Sequence, residues 1–177
     1  KLIRIEIDPM ELLRLKPDVG IVADAVDGAL ALAKAAAKNF SRTAGARDRI
    51  AEAKAIARTR IEKIQPHVAY LDIIRAVLPR DGIFVKDICQ SGFTSYFAFP
   101  VYEPRSYISS GYQGNLGYAF PTALGAKVAY PDKPVVAVVG DAGFNFAVQE
   151  LATMAEHQIG LSVILFTLDE TSYSREL

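Results

Sequence analysis

The spacing of apolar positions changes twice along the chain, and each change predicts a different kind of element. Leu2 to Ile7 alternates apolar residues with Arg4 and Glu6, the period of a strand. Pro9 then opens a short helical stretch, Met10 to Leu15, and Val19 to Val22 is another short apolar run. Ala23 to Lys38 is alanine-rich and helical, whereas Ala44 to Lys63 carries a charge at nearly every second position, including Arg47, Arg49, Lys54, Arg58 and Arg60. That second stretch reads as an exposed connecting helix, with binding to an acidic partner as the alternative. From Pro66 onward helix and strand patterns alternate. Val68, Leu71, Ile73, Ile74 and Leu78 form an apolar stripe that ends at Pro79–Gly82, and Ile83 to Ile88 is a strand. Ser106 to Ser109 is a shorter strand, and Tyr118 to Tyr130 is a helix with Pro121 in its first turn, closed by Pro131. Val135 to Val139, a β-branched run, is a strand buried on both faces; the helix Asn145 to His157 and the strand Leu161 to Phe166 follow. Repeated βα units predict an α/β fold, a parallel sheet with helices on both faces.

Ligands of such sheets sit beyond the carboxyl ends of the strands. Asp87–Gln90, Gly111–Gly117, Asp141–Gly143 and Thr167–Glu170 all fall at those ends. At Gly140-Asp141 an apolar strand stops on an acid and turns through Ala142 and Gly143 into a helix. An acid there costs desolvation energy unless a cation compensates, and the helix start favours a phosphate. A metal-bridged diphosphate satisfies both, while a plain helix N-cap at Asp141 is the equal alternative on these residues. Upstream, Ser109 to Lys127 is a second glycine-rich turn leading into a helix of small residues, and two such turns one strand apart can converge.

Composition narrows the partners. Twenty basic and twenty acidic residues cancel, so no bulk field draws nucleic acid or an anionic membrane to the surface. The longest apolar stretches are strand-sized, so no membrane span or signal peptide is expected. Cys89 is the only cysteine, which precludes an internal disulfide and makes a reducing cytoplasm the default location. Packing is its expected role, with a nucleophile as the alternative. His67 and His157 have no partner at motif spacing and read as structural. The aromatic group Phe93, Tyr96, Phe97, Phe99 and Tyr102 reads as core, with the wall of a substrate pocket as the alternative. A dinucleotide-binding turn is not supported, because Gly111, Gly114 and Gly117 lack the tight first pair of a Gly-x-Gly-x-x-Gly motif.

Taken together, the two glycine turns resemble the thiamine-diphosphate-dependent enzymes of the acetolactate synthase and 2-oxo-acid decarboxylase group. Gly140-Asp141-Ala142 corresponds to the Gly-Asp-Gly start of that family's metal and diphosphate motif, and Gly114-Asn115-Leu116-Gly117 to its Gly-x-Met/Leu-Gly turn. Tyr118 to Ala129 is similar to the helix that follows in the family. Ile3 to Pro9 resembles the closing strand of the family's middle domain, so the chain is expected to start inside a domain. The implied organisation is the tail of a Rossmann-like middle domain over 1–40, a charged helical linker over 41–65 and the diphosphate-binding domain over 66–177, incomplete at its C-terminus.

The resemblance implies a cofactor, thiamine diphosphate, and a metal, Mg2+. Asp141 would be a metal ligand, and Ala142 and Gly143 would offer amides to the diphosphate. Gly114 and Asn115 lie in the turn that holds the aminopyrimidine end, where the Gly114 carbonyl would accept from the cofactor. Leu116 would be the apolar wedge under the thiazolium ring, or else plain core, and Gln90 falls where related synthases place a glutamine near the diphosphate. The family's asparagine ligand falls on Leu168, which cannot coordinate a hard cation. Either a one-residue slip presents Asp169, followed by the Thr171 carbonyl, or the family's metal loop is missing from this chain. The implied substrate is a small 2-oxo acid, the implied assembly a homodimer or homotetramer. No catalytic residue is assigned, because the family's glutamate belongs to a separate domain, and the chain alone is expected to be inactive. A cofactor-binding or structural fragment without catalysis is the second reading.

Overall fold

The computed structural model describes residues 1–39 and 44–167. The chain divides into two compact units, Lys1–Ala51 and Glu52–Leu177. The first unit pairs β1 (Ile3–Glu6) in parallel with β2 (Val19–Val22), Ile3 opposite Val19 and Glu6 opposite Val22. Between them lies the short helix α1 (Glu11–Arg14), and α2 (Ala25–Asn39) follows. Gly28 is the buried residue of α2, and a Cβ there would stand 2.6 Å from Ile5 Cγ2, so glycine lets the helix rest directly on β1.

The helix α3 (Ala46–Ile61) spans the boundary between the units, and α4 (His67–Val77) follows in the second. Arg58 pairs there with Glu62 and Asp72 at 2.9 and 2.5 Å, interactions exposed enough to be worth little. The sheet of the second unit is wholly parallel and ordered β4-β3-β5-β6. Its strands are β3 (Ile83–Lys86), β4 (Tyr107–Ile108), β5 (Val135–Gly140) and β6 (Ser162–Phe166). Every residue of β5 is buried, as the β-branched run predicts. Successive side chains of a strand point to opposite faces. On one face Ile83, Val85, Val135, Ala137 and Val139 pack with Ala119, Phe120, Ala123 and Leu124 of α6 (Ala119–Ala129). On the other, Phe84, Val136 and Val138 pack with Val68, Leu71 and Ile74 of α4 and Ala98 of α5 (Gln90–Ala98). The fold is the expected α/β arrangement of parallel strands flanked by helices. No helix among the described residues is long and apolar enough to cross a membrane.

The structure departs from the sequence reading at three places, two of them corrections and one a helix that the reading did not include. The single helix over 145–157 is instead α7 (Asp141–Asn145), a turn, and α8 (Glu150–Glu156). Successive three-residue hydrogen bonds, Ala147 N to Phe144 O through Ala152 N to Gln149 O, tighten that turn and carry Ala147 into the core. Second, α5 had no periodic apolar signal, because its inward face is Ser91, Gly92, Thr94, Ser95 and Ala98. The Thr94 and Ser95 hydroxyls donate to the carbonyls of Gln90 (2.8 Å) and Gly92 (2.6 Å), and Cys89 Sγ accepts from Gly92 N at 3.3 Å. Third, the aromatic group is not core. Phe93, Tyr96 and Phe97 share the outward face of α5 and Tyr102 is half exposed; Phe99 alone is buried, stacked on Phe84 at 4.1 Å.

Candidate functional site at the carboxyl edge of the sheet

The strand order makes a crevice by topology. From β3 the chain passes to β4 on one side, and from β5 to β6 on the other, so β3 and β5 flank the point where the direction of winding reverses. Helices leaving such neighbours diverge and open a cleft between the strand ends. Asp87 and Asp141 are the residues that directly follow β3 and β5.

Asp87 is 1 % exposed and was not singled out as a site residue. Its Oδ1 accepts from Ile88 N at 2.6 Å, and its Oδ2 accepts from Ala119 N, the first helical amide of α6, at 3.0 Å. The carboxylate thus caps α6 from another part of the chain, where the helix dipole favours negative charge. Gly143 lies against it: an added Cβ would come within 3.1 Å of Asp87 Oδ1. The available signal was the Lys86-Asp87 pair closing an otherwise apolar strand, since charges at such positions are rarely buried without purpose.

The two glycine turns do converge. Gly117 has φ +81°, and a Cβ there would lie 2.7 Å from Phe146 Cβ and 3.4 Å from the Gly143 carbonyl. At Gly114 an added Cβ would meet Ile88 Cδ1 at 2.8 Å, and at Gly140 it would meet Cys89 Cβ at 3.2 Å. Glycine at these places lets four backbone segments approach one another closely.

Asp141 is part-buried and is the first residue of α7, not its N-cap, a place held by Gly140. Its Oδ1 accepts from Ala142 N at 2.7 Å, so that amide is already engaged. Ala142 is exposed and Gly143 is buried. Asn115 and Leu116 are exposed on the loop between Gly114 and Gly117, and the 44 % exposure of Leu116 removes it from the core. Gln90 is the exposed first residue of α5, adjoining Cys89. The structure therefore gathers Gly114, Gly117, Asp141 and Gly143 with Asp87, and leaves Gln90, Asn115 and Leu116 on the rim. Leu168, Asp169 and Thr171 lie outside the described residues. Among the described residues no three His, Cys, Asp or Glu side chains cluster as a metal site. Burial first, with Asp87 adding to it, pushes the Cys89 thiol above its ordinary range, the opposite of an activated nucleophile. The His67 Nδ1 pairs with the buried Ser91 hydroxyl at 3.1 Å, a partner that sequence spacing did not reveal.

With this geometry in place, comparison with known proteins assigns the family. Residues 87–173 match the family described as thiamine pyrophosphate enzyme, C-terminal TPP binding domain. The chain belongs to the thiamine-diphosphate-dependent enzymes. It is 35 % identical to a probable 2-ketoarginine decarboxylase, AruI, of Pseudomonas aeruginosa, over 99 % of the chain and 32 % of that protein. It is 32 % identical to a probable acetolactate synthase large subunit of Methanocaldococcus jannaschii, over 94 % of the chain and 30 % of that protein. It is 31 % identical to a glyoxylate carboligase of Escherichia coli O157:H7, over 90 % of the chain and 28 % of that protein. The chain thus spans about a third of the length of these relatives. The matched segment begins at Asp87, the buried carboxylate that organises the crevice.

The residues present fit the family's cofactor. Asp141 offers the oxygen that a hard cation requires, and the glycine-backed turns leave backbone, not side chain, facing the crevice.

Proposed function

We propose that this chain is the diphosphate-binding part of an enzyme that cleaves or joins 2-oxo acids with thiamine diphosphate and Mg2+. The observation that carries this reading is the meeting of the Gly114–Gly117 turn with the Gly140–Gly143 turn at the β3/β5 crevice, with Asp141 at its edge. Asp141 would hold the metal and Gly143 would approach the diphosphate. Gly114 and Asn115 would receive the aminopyrimidine end, Leu116 would support the thiazolium ring, and Gln90 would reach in from the start of α5. Asp169 is the proposed second metal ligand. The bound cofactor supplies an electron sink at the carbonyl carbon of a 2-oxo acid. The chain's own part is to hold and orient, with Asp87 keeping the α6 and α7 starts in register beneath.

The activities for which these relatives are named, decarboxylase, acetolactate synthase and carboligase, support a 2-oxo acid as the substrate class without choosing among the three outcomes. A homodimer or homotetramer is the assembly we propose, and the cytoplasm the location. Calorimetric titration with thiamine diphosphate and magnesium chloride tests the reading. Binding should require the metal, and Asp141→Asn should lower affinity by more than about tenfold. Metal-independent binding of unchanged strength in Asp141→Asn would overturn it.

A second reading, a cofactor-binding unit without catalysis, draws support from Leu168 at the position of the family's asparagine. Carbon dioxide release from pyruvate and benzoylformate, measured with the domain that carries the family's glutamate also supplied, separates the two, since the chain alone is expected to be inactive under either.

A further inference from the structure

The first turn of α5 carries Gln90 at the rim of the crevice, yet the helix is laid over a costly neighbour. Lys86, the last residue of β3, is wholly buried beneath it, and a Cβ at Gly92 would touch Lys86 Cδ at 3.3 Å. The Lys86 ammonium has no hydrogen-bond partner and lies 3.9 Å from the ring centroid of Tyr96 and 5.4 Å from that of Phe93. Unpaired burial of that kind works against stability, so the start of α5 needs ties of its own. One is local. Cys89 Sγ accepts from Gly92 N at 3.3 Å, and the Cys89 carbonyl accepts from Phe93 N at 2.8 Å.

The second tie comes from another helix. His67, the first residue of α4, places its Nδ1 3.1 Å from the Ser91 hydroxyl, and Ser91 is 1 % exposed. Among the described residues that hydroxyl has no other hydrogen-bond partner. A buried hydroxyl must place its proton, so Ser91 donates, Nδ1 accepts, and the neutral ring keeps its own proton on Nε2. The same imidazole reaches the other flank of the sheet's carboxyl edge. It meets the Tyr70 ring edge-on at 6.4 Å, and Tyr70 lies 5.3 Å from Phe166, the last residue of β6, which stands opposite Gly140. From the α5 side, Cys89 Cβ is 3.2 Å from where a Cβ at Gly140 would stand. Both lines from His67 therefore close on Gly140, the residue before Asp141.

We propose that His67 is a positioning residue, which through Ser91 holds the first turn of α5, and Gln90 with it, in place for the ligand of the crevice. The identity of that ligand rests on the function proposed above; the clamp itself does not. Its physical logic is local. Without an acceptor at Nδ1 the Ser91 hydroxyl is left buried and unsatisfied, and the turn must shift to bring it to water. The His67–Ser91 bond joins α4 to α5 across 24 residues of sequence, so its loss frees a turn that only the Cys89 cap then restrains.

The test uses the 177-residue chain and three variants, His67→Phe, His67→Asn and Ser91→Ala. His67→Phe keeps a ring against Tyr70 and removes the acceptor; His67→Asn puts an amide oxygen near the place of Nδ1 and restores one. Hydrogen exchange at the Phe93 amide should quicken about fivefold in His67→Phe and Ser91→Ala, the effect of one lost hydrogen bond, and return toward the original rate in His67→Asn. The core amide of Val138 should be unchanged in all three. Nitrogen NMR of the imidazole at about pH 8.5, above the ordinary histidine range, should show the Nε2–H tautomer of His67 in the unsubstituted chain and a mixture in Ser91→Ala. Affinity for thiamine diphosphate with magnesium should fall about fivefold in His67→Phe and Ser91→Ala and recover in His67→Asn. Unchanged Phe93 exchange, an Nδ1–H tautomer, unaltered affinity, or equal losses in His67→Phe and His67→Asn would each overturn the clamp. Failure of the unsubstituted chain to bind thiamine diphosphate would count against the proposed function instead, and exchange and tautomer, read without ligand, would still decide whether His67 holds α5.

Discussion

Lys86 and Asp87 are consecutive, both buried, and opposite in charge, yet the two faces they serve are built on different physics. On the Asp87 face each carboxylate oxygen accepts a backbone amide, and a helix start and a glycine close over it. On the Lys86 face the ammonium has two rings for company and no acceptor. The lesson is that burial alone does not tell what a charge contributes. A carboxylate with both oxygens satisfied ties separate segments together, whereas an unsatisfied ammonium draws stability down and must be kept for another reason.

Removing each charge should separate the two cases most sharply. Asp87→Ala orphans the amides of Ile88 and Ala119 and should cost about 4 kcal/mol, near the sum of two unsatisfied buried donors, in urea unfolding. An effect below about 1 kcal/mol would mean that Asp87 is not the tie described here. Next, Gly92→Ala forces a methyl to within 2.3 Å of the Asp87 carbonyl oxygen and displaces α5 from the end of β3. It should cost about 3 kcal/mol by the same measurement, the upper range for overpacking. Lys86→Met should move the other way, raising stability by about 1 kcal/mol, because a neutral side chain of similar length replaces an uncompensated ammonium. A clear loss of stability in Lys86→Met would show that the aromatic faces fully offset the burial.

The smallest effect concerns Cys89, which lies between these faces at the start of α5. Its thiol is raised by burial, so the folded state favours the protonated form. That contribution is fully present below the ordinary thiol range and is lost as pH rises through it toward the raised folded value. Urea unfolding at pH 7 and pH 10 should therefore show a pH-dependent decline that is smaller in Cys89→Ala. Equal declines in both proteins would remove the thiol as its source.

Much of the scaffold was readable because single-residue chemistry and tertiary burial agree there. The Val135–Val139 run is β-branched at every position but Ala137 and is buried on both faces. The helix from Ala119 to Ala129 has its proline in the first turn and ends before Pro131, as proline geometry requires. The convergence of two glycine turns was legible too, since only glycine tolerates the approach that Gly117 makes to Phe146. What escaped the sequence were arrangements that invert the usual sorting. In α5 hydroxyls point inward and aromatics outward, which no apolar period can signal. The break between α7 and α8 arises from tightened turns around Ala147, a residue indistinguishable in composition from its neighbours. Asp87 escaped as a site residue because its partners, Ala119 and Gly143, are distant in sequence and offer only backbone.

The register of the two central strands gives the crevice a vertical order. Lys86 stands opposite Val138, and β5 continues two residues further, to Gly140. Asp87 is therefore level with Val139, and Asp141 stands about 7 Å higher along the strand direction, at roughly 3.3 Å per residue. The cleft consequently has a basement acid and a threshold acid. A cation bound as proposed would meet the threshold acid first, and the lower carboxylate, already committed to two amides, remains part of the masonry.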